Sequence, residues 1–256
     1  MVFTQIVKRW LSQIAEPTWV WRGFAGYRRY FADWRRYARL PHAEPLAWRE
    51  SYPQVHDRTA ATPFDAHYFY ANGWALRRIL AARPRAHVDV GSQVMFANLL
   101  AATLPVIFVD YRPLDTHLPG LHPLGGDLTR LPFADQTLHS LSCLHVVEHV
   151  GLGRYGDALN PAGTRAACAE LARVLAPGGN LFLATPVGRE RVCFNAHRVH
   201  TAEHICALIP GLRLVEFSGV DDTGAYLENI SLAALPPSEY ACGLFWFRRA
   251  ESDANT

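Results

Sequence analysis

Residues 87–110 read HVDVGSQVMFANLLAATLPVIFVD. HVDV is a short run of strand formers that stops at Gly91. Val94 to Leu104 carries apolar residues at helical spacing, and PVIFVD is a second strand that closes on Asp110. Strand, turn, helix and strand in that order form the unit from which parallel α/β sheets are built. The stretch from Gly91 to Val109 is uncharged and long enough to imitate a membrane span. Asp89-Val90-Gly91 and Pro105 punctuate it, so it reads as sheet and helix instead.

The same alternation continues downstream. SLSCLHV from Ser140 is a strand, Gly163 to Leu175 a helix stopped by Pro177-Gly178-Gly179, and NLFLATPV a strand. Thr201 to Leu208 is a helix, and LRLVEFSGV and ACGLFWFRR are two late strands, the last read as an antiparallel insertion. Upstream, a helix from about Ala66 to Ala82 is expected to turn Phe69, Trp74, Ile79 and Leu80 inward. Before it, Pro41, Pro45, Pro53 and Pro63 mark an irregular connector.

The first 40 residues differ in charge from the rest. They hold eight basic and two acidic residues, a net +6, so the remainder of a chain of net +2 is −4. Val2, Phe3, Ile6, Val7, Trp10 and Ile14 recur at helical spacing, as do Val20, Phe24, Tyr27, Phe31, Trp34 and Ala38. Two amphipathic helices broken near Pro17 are expected. They form either a packed arm or an interfacial segment on anionic lipid, since Trp and Arg suit the headgroup layer. The net acidic remainder argues against nucleic acid as partner.

Half of the 256 residues are hydrophobic, which excludes global disorder. The five cysteines are odd in number and form no CxxC, which argues against a disulfide framework or a Cys-rich zinc site. The start lacks a long apolar core and an A-x-A site, so no secretion signal is read. A cytoplasmic chain is expected, peripheral on the inner membrane surface if the arm meets lipid.

In open α/β sheets ligands bind beyond the carboxyl ends of the strands. Gly91 after the first strand lets backbone approach a ligand, and a carboxylate at Asp110 can accept both hydroxyls of a ribose. This pair suits a dinucleotide or S-adenosylmethionine, although no GxGxxG follows the first strand.

Later segments separate the two. Gly126-Asp127-Leu128 precedes LPFADQTLHSLSCLHVVEHV, and ELARVLAPGGNLFLATPV follows. This succession, over roughly His87 to Arg248, resembles the class I S-adenosylmethionine-dependent methyltransferases. FDAHYFYANGW, EHVGLGRYGD, GRERVCFNAHRVH and VDDTGAYLENISL, between Phe64 and Phe247, resemble more narrowly an uncharacterised methyltransferase-like family, a domain of unknown function.

The resemblance implies a Rossmann-like, seven-stranded, mostly parallel α/β sheet with an antiparallel late strand over residues 66–250. A helical arm and connector would fill 1–65 and a polar tail 251–256. It implies S-adenosylmethionine as cofactor, with Asp89, Gly91 and Ser92 at its methionine end, Asp110 on the ribose, and Asp127 and Leu128 at the adenine. One departure stands out: where the superfamily has two or three glycines, this loop reads DVGSQVMFA, with Gln93 and Met95 at the later glycine positions. Side chains there would crowd the methionine part of the cofactor.

His145-Val146-Val147-Glu148-His149 spells HxxEH, the zinc signature of one peptidase class. That signature needs a helix, whereas here it continues a strand and contains two valines. In a methyltransferase these residues meet the active-site cleft. His149, Glu148, His145 and, after strand five, His197 are the candidate catalytic residues, with His149 or His145 as base for a hydroxyl acceptor. A similar ExxEH binds a divalent metal in some class I enzymes, with a further His after strand five, where His197 and His200 stand here. No metal site is expected, the alternative being a transition ion on these N and O donors.

Arg189, Arg191, Asn195, His197 and Arg198 form a donor-rich loop suited to a polyhydroxyl or anionic substrate, with Tyr68, Tyr155 and Asp157 completing the pocket. The expected activity is O-methylation of a glycan or small metabolite. The alternative is a non-catalytic protein that binds S-adenosylmethionine or a nucleotide on the same fold.

Overall fold

The computed structural model describes residues 17–251. They fall into two compact units divided between Phe64 and Asp65. The expected helix over 2–14 lies outside the described residues. The first unit contains α1 (Pro17–Tyr37) and one 3₁₀ turn (Trp48–Glu50). Proline at the first helical position costs no hydrogen bond, because that N–H has no partner in a helix. Of the expected stripe, Phe24, Tyr27 and Phe31 are exposed. Gly26 is buried and has room for no side chain, since a Cβ there would lie 2.7 Å from the Val55 Cβ. Arg29 donates to the Val55 carbonyl at 3.2 Å, while Tyr27 and Phe31 remain exposed.

The second unit runs α2 (Ala66–Ala82), β1 (His87–Val90), α3 (Val94–Ala101), β2 (Val106–Asp110), β3 (Leu121–Gly125), β4 (Leu138–Leu144), α4 (Gly163–Val174), β5 (Leu175–Val187), β6 (Arg191–Cys193), β7 (His197–Val199), α5 (Ala202–Ala207), β8 (Leu212–Val220), β9 (Tyr226–Leu227) and β10 (Ala241–Arg249). Eight strands form one sheet in the order β3-β2-β1-β4-β5-β10-β8-β9. The first five are parallel. β10 is antiparallel to both β5 and β8, as expected for the insertion.

The sheet exceeds the expected seven strands because β9 adds a two-residue edge. The Pro-Gly-Gly stop lies within β5, where the register jumps from Leu138↔Leu175 to Ser140↔Asn180 and residues 176–179 bulge out.

Apolar side chains fill both faces of the sheet. Trp74, Ile79, Phe96, Leu100, Phe108 and Phe182 pack with α2 and α3 on one side. Leu171, Val174, Ile205, Leu183, Phe217 and Phe245 pack with α4 and α5 on the other. In α2 the line Ala71, Trp74, Ala75, Ile79 is buried, so Phe69 and Leu80, one step off it, stay largely exposed, contrary to expectation. Glu216 of β8 fixes α2 by accepting from Trp74 Nε1 at 3.0 Å and from Arg78 Nη2 at 2.6 Å.

Candidate active site

In the sheet order the chain runs one way from β1 to β2 and the other way to β4, and a crevice opens at such a switch. Here it is a cleft of about 270 Å³. Its wall includes Gly91, Ser92, Gln93, Asp110, Asp127, Leu128, His145, His149, Tyr155 and Asp157. Residues expected from separate segments thus meet in one place. Asp89, Glu148 and His197 are not on that wall.

The loop after β1 rests on a buried polar network. Gly91 has φ 67°, and a Cβ on it would lie 3.1 Å from Val146 Cγ1, so glycine suits both the backbone and the space. Asp89 is fully buried beneath this loop. It accepts from Ser92 Oγ at 2.7 Å, from the Ser92 amide at 3.2 Å and from Ser142 Oγ. The carboxylate thus shapes the loop from below and does not line the cleft itself.

Ser92 Oγ in turn accepts the Leu144 amide at 3.0 Å, which joins β4 to the loop. His87 lies between Ser140 and Ser142 at 2.7 and 2.8 Å. Because Ser142 donates to Asp89, it accepts from His87 Nε2, and Ser140 donates to Nδ1. Burial lowers the His87 pKa to about 3 and raises that of Asp89 to about 6, against the pull of its three donors. The expected crowding is not seen at Met95, which is exposed and off the cleft wall. Gln93 stands at the cleft, with its carbonyl accepting from Asn72 at 2.9 Å.

Asp110 closes β2 and accepts the Arg112 amide at 2.8 Å. Asp127 accepts the Thr129 amide at 2.7 Å, in a side-chain turn that holds it at the cleft. Tyr155 and Asp157 bring the loop at 151–157 to the same cleft. There Asp157 accepts the Gly151 amide at 2.6 Å, and the guanidinium groups of Arg112 and Arg154 lie 4.7 and 5.1 Å from the Tyr155 ring. Tyr155 and Asp157 thus line the same cleft as Asp110 and Asp127.

His145 follows β4 with φ 60°, a left-handed conformation rare outside glycine. The next residues form a turn, closed by the His149 amide on the Val146 carbonyl at 2.9 Å. HVVEH is therefore not a helix. Glu148 is almost wholly buried, with Oε1 3.4 Å from His145 Nδ1 and 3.8 Å from His149 Nε2. Burial disfavours its charge, but His145 outweighs that and lowers its pKa. Burial likewise opposes charge on His145, but Cys242 and Glu148 outweigh it and raise its pKa. His149 Nδ1 donates to the Ala196 carbonyl at 2.5 Å, which leaves Nε2 as the basic nitrogen of that ring.

Beyond His145 lies a second aromatic group. Its ring is 5.9 Å from His67 and 4.7 Å from Tyr68, and Tyr240 lies 5.4 Å from His67 and 4.8 Å from His197. His197 thus reaches this group, next to the cleft. Burial and His145 lower the His67 pKa. His67, Tyr240 and Cys242 escaped the sequence reading. His67 adjoins Tyr68 in a segment already marked out, but Cys242 reads only as a small apolar residue of a strand.

With this geometry established, known proteins are informative. Over residues 133–240 the chain matches the model of the family described as Caenorhabditis protein of unknown function, DUF268. A chain of the Haloferax volcanii complex between the Trm112 methyltransferase activator and a methyltransferase is similar in structure. Its TM-score is 0.52 at 18% identity, with 74% of this chain and 92% of that chain covered. NodS, an N-methyltransferase from Bradyrhizobium japonicum, gives 0.51 at 16% identity over 73% and 98%. The fold is that of the class I methyltransferases. SpnF, a cyclase, shares the likeness at TM-score 0.50 and 14% identity, over 81% of this chain and 85% of its own. No curated protein matches in sequence.

Relative to this methyltransferase fold, the donor-rich loop after β5 is a small hairpin, β6 with β7. Its arginines are largely committed. Arg198 is buried and donates to the carbonyls of Val150 and Asn160 at 2.5 and 3.0 Å. Arg189 pairs with Glu239 at 2.9 Å, and Arg191 donates to the Glu239 carbonyl at 2.6 Å. The guanidinium of Arg198 therefore braces the loop over 150–160 rather than facing a substrate.

Proposed function

We propose that the protein is an S-adenosylmethionine-dependent methyltransferase that methylates a hydroxyl of a glycan or small metabolite. The observation that carries this reading is the convergence of Gly91, Asp110, Asp127 and His149 on one cleft at the strand switch of a methyltransferase fold. Gly91 and Ser92 would face the methionine end, Asp110 the ribose, and Asp127 with Leu128 the adenine. Methyl transfer needs donor and acceptor atoms about 3–3.5 Å apart and aligned. His149 would take the acceptor's proton on Nε2, its Nδ1 being held by the Ala196 carbonyl.

The non-catalytic alternative has one observation in its favour: Gln93, at the cleft, stands where the superfamily has a glycine. Calorimetry with S-adenosylmethionine, its demethylated product and NAD tests the reading. The first two should bind and NAD should not. A charge-assisted hydrogen bond contributes about 1.5–3 kcal/mol, so Asp110→Ala should weaken binding roughly 10- to 150-fold. Equal affinities would remove Asp110 from the site. Cofactor binding without turnover on any hydroxyl acceptor would favour the non-catalytic reading.

A further inference from the structure

Among the described residues, His67, His145 and Cys242 bring one ligand atom each to within 4.8 Å of one another. They come from three elements: the first turn of α2, the end of β4 and the second residue of β10. His145 Nε2 and Cys242 Sγ are 3.4 Å apart. In a tetrahedral zinc site with Zn–S about 2.3 Å and Zn–N about 2.0–2.1 Å, an N···S edge measures about 3.6 Å. The pair therefore already has the spacing of two ligands on one ion, and His67, within 4.8 Å of both, needs to close by no more than about 1.5 Å.

The surroundings match such a site. A histidine that binds metal through one nitrogen donates its other N–H to a carboxylate, which fixes tautomer and ring orientation. Glu148 stands in that relation: it is buried and 3.4 Å from Nδ1 of His145, on the opposite side of the ring from Cys242. The left-handed backbone of His145 sets the ring in this position, a strain of the kind stored at functional sites. Two imidazoles and a thiolate suit zinc or another late transition ion and not magnesium or calcium.

We propose that His67, His145 and Cys242 bind a zinc-class divalent ion, with Glu148 as positioning residue, on the acceptor side of the cofactor cleft. His145 belongs both to this trio and to the cleft wall, so the ion would border the space in which methyl transfer is proposed. Three protein ligands leave a tetrahedral ion a fourth position, the arrangement of catalytic zinc. An acceptor hydroxyl or thiol bound there would lose its proton to water. Its lone pair would form the bond to the methyl carbon, and the electrons of the carbon–sulfur bond would return to the sulfonium, leaving a neutral thioether. This last part rests on the methyltransferase reading; metal binding does not.

The test is titration of the full-length chain, freed of metal with a chelator, with Co²⁺, and elemental analysis after zinc loading and dialysis. Thiolate coordination should give a near-ultraviolet sulfur-to-cobalt charge-transfer band. Cys242→Ala should abolish the band, and His67→Ala, at a half-exposed position, should weaken Co²⁺ binding roughly 100-fold or more. Glu148→Gln should cost about 10–100-fold in affinity. His204→Ala, in the other cluster of potential ligands with Glu190 and His200, should leave the band in place. Absence of the band in the folded wild type, or an undiminished Co²⁺ affinity in folded His67→Ala, would overturn the site. S-adenosylmethionine binding to the metal-free chain separates the two readings. If it binds and no metal does, only the ion is lost. If metal binds and the cofactor does not, the methyltransferase reading falls and the site stands.

Discussion

The hydroxyl of Ser92 donates to Asp89 at 2.7 Å, and the same oxygen accepts the amide of Leu144 at 3.0 Å. A single atom thus ties the loop after β1 to the end of β4, on either side of the cleft. Ser92→Ala would leave the Leu144 amide without its acceptor and remove one donor from a buried carboxylate. The expected cost is about 1–3 kcal/mol, read as a lower urea midpoint. Cofactor affinity should fall as well, because the loop at Gly91 loses its brace. An unchanged midpoint would show that the network contributes nothing to stability.

The same network predicts a dependence on pH. Asp89 titrates near pH 6 in the fold and near 3.8 when unfolded. Its contribution to stability is therefore full below about pH 3.8 and is lost as pH rises through 6. His87 has the opposite sign, with a folded pKa near 3 against 6.5: its contribution is present above pH 6.5 and lost as pH falls toward 3. The two slopes offset between about pH 4 and 6. Asp89→Asn removes the first alone. The variant should be nearest to wild type at pH 7 and fall behind toward pH 4, by on the order of 2 kcal/mol. Urea melts at four pH values measure this, and a gap that stays constant would refute it.

His149 is expected to matter to turnover more than to binding. His149→Ala should lower the rate roughly 10²–10⁴-fold, the range for a general base, with cofactor dissociation changed little. Single-turnover kinetics beside calorimetry on the same variant separate the two. A parallel loss of affinity would instead give His149 a part in holding the cofactor.

The arm carries a prediction of its own. No helix among the described residues is long and apolar enough to cross a membrane. α1 nonetheless ends in Arg35 and Arg36, with Phe31 stacked on exposed Trp48 at 5.9 Å. Full-length chain should sediment with anionic vesicles at low salt and release at high salt, because screening shortens to about 8 Å at 0.15 M. Deletion of residues 1–40 should abolish this and spare cofactor affinity. Indifference to vesicles at low salt would limit the arm to packing.

The sheet was legible in the sequence because β1, β2, β4, β5, β8 and β10 are apolar runs bounded by turn residues. β3 was missed because LHPLG contains Pro123, which only an edge strand tolerates. β6 and β7 were missed because three-residue strands leave no period to read. At the cleft, Gly91, Asp110, Asp127 and His149 were legible because each stands at the end of a strand or in the turn beyond, and parallel strands point those ends one way. The burial of Asp89 was not legible because a strand-end carboxylate has two directions to face, and only the partners on β4 decide which. The trio with Cys242 was not legible at all, since residues 67, 145 and 242 meet only through the placement of α2 and the order of the strands.

β10 lies between β5 and β8 but follows both in the chain. During synthesis the parallel half from β3 to β5 can pair as it emerges, while β5 keeps an open edge. β8 has no neighbour within the sheet other than the two-residue β9 until residues 241–249 leave the ribosome. A nascent chain that stalls before that point presents two unpaired edges, each a template for another chain. The interval between β8 and β10 is therefore the stretch of translation in which this sheet is most open to pairing with another chain.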